Sequence, residues 1–200
     1  MPSRPTPKHQ IPMFAFLYKI LGWKVIGNPP YAVKKAIWVG APHHSNWDLG
    51  ISLGARATMQ FDISFMAKKE IFQWYSGWLF RALGGLPVDR SKANNLVDAV
   101  VQIFEENETM HIAITPEGTR DDVPTLKRGF YYMAFKANVP LILVGFDYPR
   151  KAFVVREPLY LTGDYPADMR AFYDFYLTIQ GPRKTWLKNY VATGEVPAPR

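Results

Sequence analysis

The chain has 200 residues, which is long enough to bury a sizeable core within one domain. Hydrophobic residues make up 48% of it and charged residues 20%, which excludes a disordered chain, and the absence of cysteine excludes disulfides, thiolate metal sites and cysteine nucleophiles. Lysine and arginine number 24 against 17 aspartate and glutamate, so the net charge of +7 predicts anionic partners such as phosphates, acidic lipid surfaces or nucleic acid.

Residues 1–30 are predicted to form a proline-rich tail followed by a helix at a membrane surface. Prolines in the first twelve residues argue against a secretory signal, and no apolar run approaches the roughly 20 residues that span a bilayer. Residues 11–23 are rich in large apolar side chains flanked by lysine, and their length suits an interfacial helix. The alternative is a helix that packs on the core, since the segment is apolar almost all round. We expect a cytoplasmic protein held peripherally on the cytoplasmic face of a membrane.

Residues 31–193 show strands alternating with helices, and residues 194–200 are expected to form a loose tail. The predicted strands are 37–41, 63–67, 86–88, 110–114 and 141–146, with antiparallel additions at 153–155 and 159–161. The predicted helices are 45–60, 71–83, 94–107 and 127–137, with a last helix opening at 164–166. This alternation predicts a single α/β domain with a largely parallel mixed sheet flanked by helices.

A dense polar cluster follows the predicted strand 37–41, in the run HHSNWD at residues 43–48. Active residues of α/β folds gather outside the carboxyl ends of the strands, so this position suits catalysis. On a straight helix His43 and Asp48 would lie roughly 140° apart, but they can meet if the helix begins near Ser45. Asp48 would then hold one imidazole nitrogen and leave the other to take a proton.

Two plainer interpretations compete at this cluster. Ser45 and Asp48 have the spacing of a capping box, in which the carboxylate only satisfies backbone donors. The adjacent histidines suggest a metal site, but such a site needs a third ligand, and His9 and His111 lack metal-like spacing. We therefore predict no metal.

Three further segments are candidates for a functional site. The run TPEGTR at residues 115–120 also follows a predicted strand, where Gly118 allows close approach of a ligand and Arg120 can hold an anion bidentately. Lys127 adds a cation near a predicted helix start, although an ordinary surface loop with a Glu117–Arg120 ion pair is the alternative. The run GLPVDR at 85–90 ends in Arg90, and the run NVPLILV at 138–144 would alone indicate a core strand.

These four segments together resemble the glycerolipid acyltransferase family, typified by 1-acylglycerol-3-phosphate acyltransferase. That family shows a His-x4-Asp motif, here His43 to Asp48, and a short strand that ends in arginine, here Arg90. A Pro-Glu-Gly-Thr-Arg block follows, here at 116–120, and then a Val-Pro strand, here at 139–144. All four occur in the family's order over about residues 37–147.

The resemblance implies direct acyl transfer from a thioester of coenzyme A or acyl carrier protein to a lipid hydroxyl, with no other cofactor. His43 would be the general base and Asp48 would orient it. The residues implied for binding a phosphate-bearing, lysophosphatidate-like acceptor are Arg90, Glu117, Gly118, Thr119 and Arg120, to which we add Lys127. Val139 and Pro140 would border the acyl chain.

The sequence departs from the family pattern in two respects. We expect no counterpart of the long two-helix membrane anchor that such enzymes can carry, and residues 11–23 would have to replace it. Asp121 and Asp122 follow Arg120 and would compete for its charge. The aromatic segment 71–83 predicts either a second membrane contact or core packing.

Three other functions stay open. The acceptor of an acyltransferase could be a lipid without phosphate, such as an aminolipid or a glycolipid. A serine hydrolase or thioesterase is suggested by Gly50-x-Ser52-x-Gly54, although Ser52 would lie inside a helix and not directly after a strand. A non-catalytic basic membrane-binding module would explain the charge, but not the polar residues at strand ends. Nucleic acid is not an expected partner because no nucleic-acid motif is present.

Overall fold

A computed structural model of the chain describes residues 11–74, 76–88 and 93–197. Within these residues the strands are β1 Lys24–Ile26, β2 Lys35–Ala41, β3 Ser64–Lys68, β4 Gly85–Val88, β5 Met110–Ile114, β6 Leu141–Asp147 and β7 Ala152–Val155. They form one sheet in the order β1-β7-β6-β2-β5-β3-β4. Neighbouring strands are parallel except β6 and β7, which are antiparallel. The predicted α/β fold with a largely parallel mixed sheet is confirmed.

The helices within the described residues are α1 Pro12–Ile20, α2 Trp47–Met59, α3 Gly77–Ala82, α4 Ala93–Glu106, α5 Gly129–Lys136, α6 Tyr165–Leu177 and α7 Thr185–Thr193. Local sequence explains several of their ends. Asp164 caps α6, because its carboxylate accepts a hydrogen bond from the backbone N–H of Ala167 at 3.1 Å. Asn138 adopts a left-handed conformation just after α5 and stops it where predicted.

Four elements differ from the predictions. β1 and α7 were not predicted, since β1 has only three residues and no alternation to detect. The helix predicted at 71–83 is limited to α3, preceded by a 3-10 turn at Lys69–Ile71. The strand predicted at 159–161 is a single antiparallel bridge between Leu141 and Leu159. Pro158 directly before this bridge has no N–H to extend a ladder.

The sheet separates two hydrophobic layers, and the alternation of β2 shows how. Ile37, Val39 and Ala41 face a large core shared with α4, α5, α6 and α7, whereas Ala36 and Trp38 face a smaller core under α1 and α2. Because β2 is buried on both faces at the centre of the sheet, its carboxyl end is held rigidly by the core. This end of β2 is where the polar run 43–48 begins.

Helix α1 packs on α2 on one side only. Tyr18 is buried against α2, where a Cβ at Gly54 would lie only 2.6 Å from its ring. The outward side of α1 exposes large apolar side chains, namely Met13, Phe16, Leu17 and Ile20, followed by Leu21. Core packing is therefore confirmed for the Tyr18 side, and membrane contact of the other side stays a prediction.

Two further features of the chain's organisation are the length of its helices and the limits of its domain. Each helix in the described residues is too short or too polar to cross a bilayer. The predicted domain limits at residues 30 and 193 stay predictions. β1 lies on the N-terminal side of the first limit and pairs with β7, so this part of the segment belongs to the sheet.

Candidate active site

His43 lies in the turn that joins β2 to α2, at the carboxyl edge of the sheet. Its imidazole Nδ1 is 2.7 Å from Oδ2 of Asp48, in the first turn of α2. The His43 side chain is 21% exposed, whereas that of Asp48 is 2% exposed. The predicted meeting of these two side chains is therefore present, and it leaves Nε2 of His43 as the ring nitrogen not engaged by Asp48.

Asp48 accepts hydrogen bonds from several donors around its carboxylate. Oδ2 accepts from the backbone N–H groups of His44 at 2.8 Å and Ser45 at 3.0 Å, and Oδ1 accepts from the hydroxyl of Tyr148. Burial alone would raise the pKa of Asp48, but the hydrogen bonds from His43, Tyr148 and the backbone outweigh it, and the pKa lies below its ordinary value. The Asp48 carboxylate satisfies the Ser45 backbone as in a capping box and also holds His43, but the reciprocal half of the box is absent, because the Ser45 hydroxyl accepts from the N–H of Trp47 at 2.9 Å.

Glu117 lies beneath His43 and does not face solvent. Oε2 of Glu117 accepts from the backbone N–H of His43 at 2.8 Å, and Oε1 accepts from the indole N–H of Trp186 at 2.9 Å. Glu117 is 2% exposed, and this burial raises its pKa despite those two hydrogen bonds. The structure therefore shows that Glu117 holds the His43 backbone, and its predicted contact with an acceptor stays a prediction.

Arg120 is exposed and joins the two main polar segments, because its guanidinium donates to Oδ1 of Asn46. The two acids after Arg120 have other partners. The hydroxyl of Thr119 donates to Asp121 at 2.9 Å, and Asp122 accepts from the backbone and hydroxyl of Thr185 in α7. The predicted competition for the Arg120 charge is therefore not seen among the described contacts.

Gly118 and Lys127 lie against each other beside Arg120. Gly118 has a φ of +67°, and a Cβ there would lie 2.9 Å from Nζ of Lys127. The backbone N–H of Lys127 donates to the carbonyl of Pro116 at 3.0 Å, which closes the loop. Lys127 is exposed and precedes α5, so two cations flank a glycine backbone next to the turn that contains His43.

Val139 and Pro140 are not beside His43. Both are buried just before β6, and the carbonyl of Pro140 accepts from the N–H of Ile37 at the start of β2. His43 follows β2 at its other end, so roughly 15–20 Å of strand separates the two places. The predicted acyl-chain residues thus lie at the amino ends of the strands, whereas the reacting atoms lie at the carboxyl ends.

Arg90 lies outside the described residues, and its predicted role stays a prediction.

Sequence reasoning missed several residues of this site. Tyr148 directly follows β6, and the rule that functional side chains gather at carboxyl strand ends could have found it. Trp186 had no such signal, because α7 was not predicted. The ammonium of Lys184, just before α7, donates to the backbone carbonyls of Arg120 at 2.6 Å and Asp121 at 3.0 Å.

The serine hydrolase alternative lacks the geometry that its motif requires. Ser52 lies within α2, whereas a nucleophile elbow needs a strand directly before the serine. His111, the histidine that follows Ser52 in the chain and would have to complete a catalytic triad, is 4% exposed and accepts a hydrogen bond from the indole of Trp38 at 3.1 Å. Burial lowers the pKa of His111 to about 4, so this histidine is a neutral core residue. No cluster of His, Asp and Glu suited to a metal ion occurs among the described residues.

Comparison with known proteins identifies the family. A family model described as Acyltransferase matches residues 25–147, which is more than half of the chain. No curated protein matches. The fold is similar to the crystal structure of the 1-acyl-sn-glycerophosphate (LPA) acyltransferase PlsC from Thermotoga maritima, with a TM-score of 0.58, 17% identity and coverage of 86% of this chain and 80% of that chain. The predicted resemblance is confirmed, and the chain belongs to the acyltransferase family and is an acyltransferase.

Proposed function

We propose that this acyltransferase moves a fatty acyl group from a thioester of coenzyme A or acyl carrier protein to a hydroxyl of a lysophosphatidate-like acceptor. The observation that carries the proposal is the 2.7 Å contact between Nδ1 of His43 and the buried carboxylate of Asp48. This contact fixes the tautomer in which Nδ1 carries hydrogen and Nε2 is free to accept a proton. A base positioned in this way typically contributes about 10²–10⁴-fold in rate.

The reaction needs one base and no covalent enzyme intermediate. Nε2 of His43 takes the proton of the acceptor hydroxyl as its oxygen attacks the thioester carbonyl carbon. Asp48 stabilises the imidazolium that forms. The tetrahedral intermediate expels the thiolate, the new ester forms, and the proton on His43 passes to the leaving sulfur.

The acceptor's phosphate is proposed to bind at the cations beside the His43 turn. Arg120 and Lys127 are both exposed there, and Gly118 lets the backbone approach a ligand without a side chain in between. Arg120 presents a planar fork that suits phosphate. Arg90 would supply a further cation, as the family resemblance implies. The structural neighbour is named for a 1-acyl-sn-glycerophosphate substrate, which supports a phosphate-bearing acceptor here.

The first test is thiol release from palmitoyl-coenzyme A in the presence of vesicles, with lysophosphatidate, monoacylglycerol or no acceptor. Release that depends on lysophosphatidate is expected. Release without acceptor would point to a thioesterase, and equal release with monoacylglycerol would favour the alternative acceptor that lacks phosphate. His43→Ala should abolish transfer while the far-UV circular dichroism spectrum is unchanged, and near-normal turnover of this variant would refute the mechanism.

A second arm tests the phosphate site. Arg120→Gln and Lys127→Gln should raise the KM for lysophosphatidate about tenfold, which is the loss of about 1.4 kcal/mol of binding free energy. Lys136→Gln is the matched control, because Lys136 is an exposed cation whose described ion pair, at 3.3 Å, is with Asp98 on the helix surface. An unchanged KM in the first two variants would move the acceptor elsewhere.

We also propose that the exposed side of α1 lies on a membrane surface. Met13, Phe16 and Ile20 are each more than half exposed, and Lys19 lies among them. Phe16→Ser combined with Ile20→Ser should reduce co-sedimentation with anionic vesicles and leave activity on a dispersed short-chain acceptor intact. Val191→Ser is the control, since Val191 is an exposed apolar residue of α7. Equal vesicle binding by the double variant and by the Val191→Ser control would refute this proposal.

A further inference from the structure

Tyr148 reaches the His43–Asp48 pair from a different strand. It directly follows β6, and β6 lies next to β2 with Gly145 level with Ala41. Tyr148 and His43 therefore leave the sheet at the same edge. The hydroxyl of Tyr148 donates a hydrogen bond to Oδ1 of Asp48. The ring of Tyr148 is held edge-on against Trp23, with ring centres 5.4 Å apart.

The donors around Asp48 are divided unequally between its two oxygens. Oδ2 receives the imidazole of His43 and two backbone N–H groups, at 2.7–3.0 Å. Among the described residues, the donor to Oδ1 is the Tyr148 hydroxyl. Without that hydroxyl, one oxygen of a carboxylate that is only 2% exposed would lack a partner. A buried acceptor without a donor is unfavourable, and the carboxylate would be held less precisely against Nδ1 of His43.

We propose that Tyr148 is a positioning residue for acyl transfer, whose hydroxyl locks the Asp48 carboxylate so that Oδ2 stays on Nδ1 of His43. This inference rests on the proposed roles of His43 and Asp48. Nε2 of His43 is then presented at one fixed place for the acceptor's proton. A reacting group displaced by about 1 Å can lose about 10²-fold in rate, so such a lock has a measurable effect.

The same hydroxyl also controls charge. A donor on Oδ1 draws negative charge away from Oδ2, so Asp48 favours the protonated form of the His43 imidazole less strongly. Two other titratable groups lie near the pair. One is His44, which interacts electrostatically with Lys184, and the other is Glu117, which accepts a hydrogen bond from the His43 backbone. The described hydrogen bonds of the Tyr148 hydroxyl include neither of them. Its removal should therefore move the pH dependence of the rate toward higher pH.

The experiment compares Tyr148→Phe with Tyr160→Phe in the full chain. Both variants lose one hydroxyl and keep the ring, and Tyr160 is 67% exposed. The rates of palmitoyl-coenzyme A thiol release with lysophosphatidate are measured between pH 5 and 9, a range that brackets the ordinary pKa of histidine at about 6.5. We expect kcat of Tyr148→Phe to fall about 10–100-fold, the range that displacement of the base by up to about 1 Å would produce. The KM for each substrate should stay within about twofold of its original value.

The pH profile separates positioning from a loss of folded protein. After each rate is divided by the folded fraction measured by circular dichroism at the same pH, the acid limb of Tyr148→Phe should still lie at higher pH than that of the native protein. Incorporation of 3-fluorotyrosine at position 148 makes the hydroxyl a stronger donor and should move the acid limb to lower pH. An unchanged kcat and profile in both would overturn the inference. Retained activity in His43→Ala would instead overturn the proposed function, so the two failures can be told apart.

Discussion

Replacement of Glu117 by glutamine tests whether this residue holds His43 or contacts the acceptor. In the native site, each oxygen of the Glu117 carboxylate accepts one N–H, from the His43 backbone at 2.8 Å and from Trp186 at 2.9 Å. A glutamine side chain has one oxygen and one NH₂ group. It can satisfy one of these donors and must turn its own N–H groups toward the other.

The expected loss of stability in Glu117→Gln follows from the number of hydrogen bonds that the glutamine can accept. Hydrogen bonds to a charged group contribute about 1.5–3 kcal/mol, and a buried donor left without an acceptor costs about 1–3 kcal/mol. Removal of a buried charge offsets part of this loss, since Glu117 is only 2% exposed. We expect Glu117→Gln to lower the free energy of unfolding by about 2 kcal/mol, which corresponds to about 4–8 °C in Tm for a chain of this size.

The activity of the same variant distinguishes the two roles. Because Glu117 contacts the His43 backbone, we expect kcat to fall at least about tenfold while the KM for lysophosphatidate is unchanged. Glu105→Gln is the control, since Glu105 is an exposed residue of α4. If Glu117→Gln raised the KM, with kcat and Tm as in the native protein, Glu117 would contact the acceptor and this reasoning would be wrong.

Three further outcomes are expected. His111 is buried and its pKa is lowered to about 4 from an ordinary 6.5, so the unfolded chain takes up a proton that the folded chain excludes between those values. Stability should fall by roughly 3 kcal/mol as pH falls from 6.5 to 4, and chemical denaturation of His111→Gln should show a smaller loss. Gly118→Ala should lower Tm and raise the acceptor's KM, because φ is +67° there and a Cβ would displace Nζ of Lys127; an unchanged KM would separate this loop from the acceptor. Gly54→Ala should destabilise by about 1–3 kcal/mol, since its Cβ would lie 2.6 Å from the ring of Tyr18, whereas a stabilised variant would show that α1 is not tightly packed.

The strands that the sequence revealed were those buried on both faces or ending in polar runs. β2 and β6 are apolar except for one charged residue at an end, and β5 is apolar except for His111, so a chain of this pattern has few other ways to bury them. β1 escaped detection because three residues define no period, and its pairing with β7 joins segments that are far apart in the chain. α7 was not predicted because its apolar side chains are explained only by their packing against the core that α6 helps to form.

The pairing of His43 with Asp48 could be predicted because both lie within six residues, and local geometry limits how a turn can join a strand to a helix. The partners of this pair could not. Tyr148 is 100 residues from Asp48, and Trp186 is 69 residues from Glu117. Residues so far apart in the chain meet through the order of strands in the sheet and the docking of helices on it.

Residue types and their spacing were enough to identify a histidine with a carboxylate at a strand end, a glycine turn with an arginine, and the family to which this chain belongs. Which of these side chains face solvent depended on the fold, in which Glu117 is buried under His43, Arg120 is exposed beside Asn46, and Pro140 lies at the amino ends of the strands. Residue type sets what a group can donate or accept, whereas burial and partners are set by contacts between segments distant in the chain.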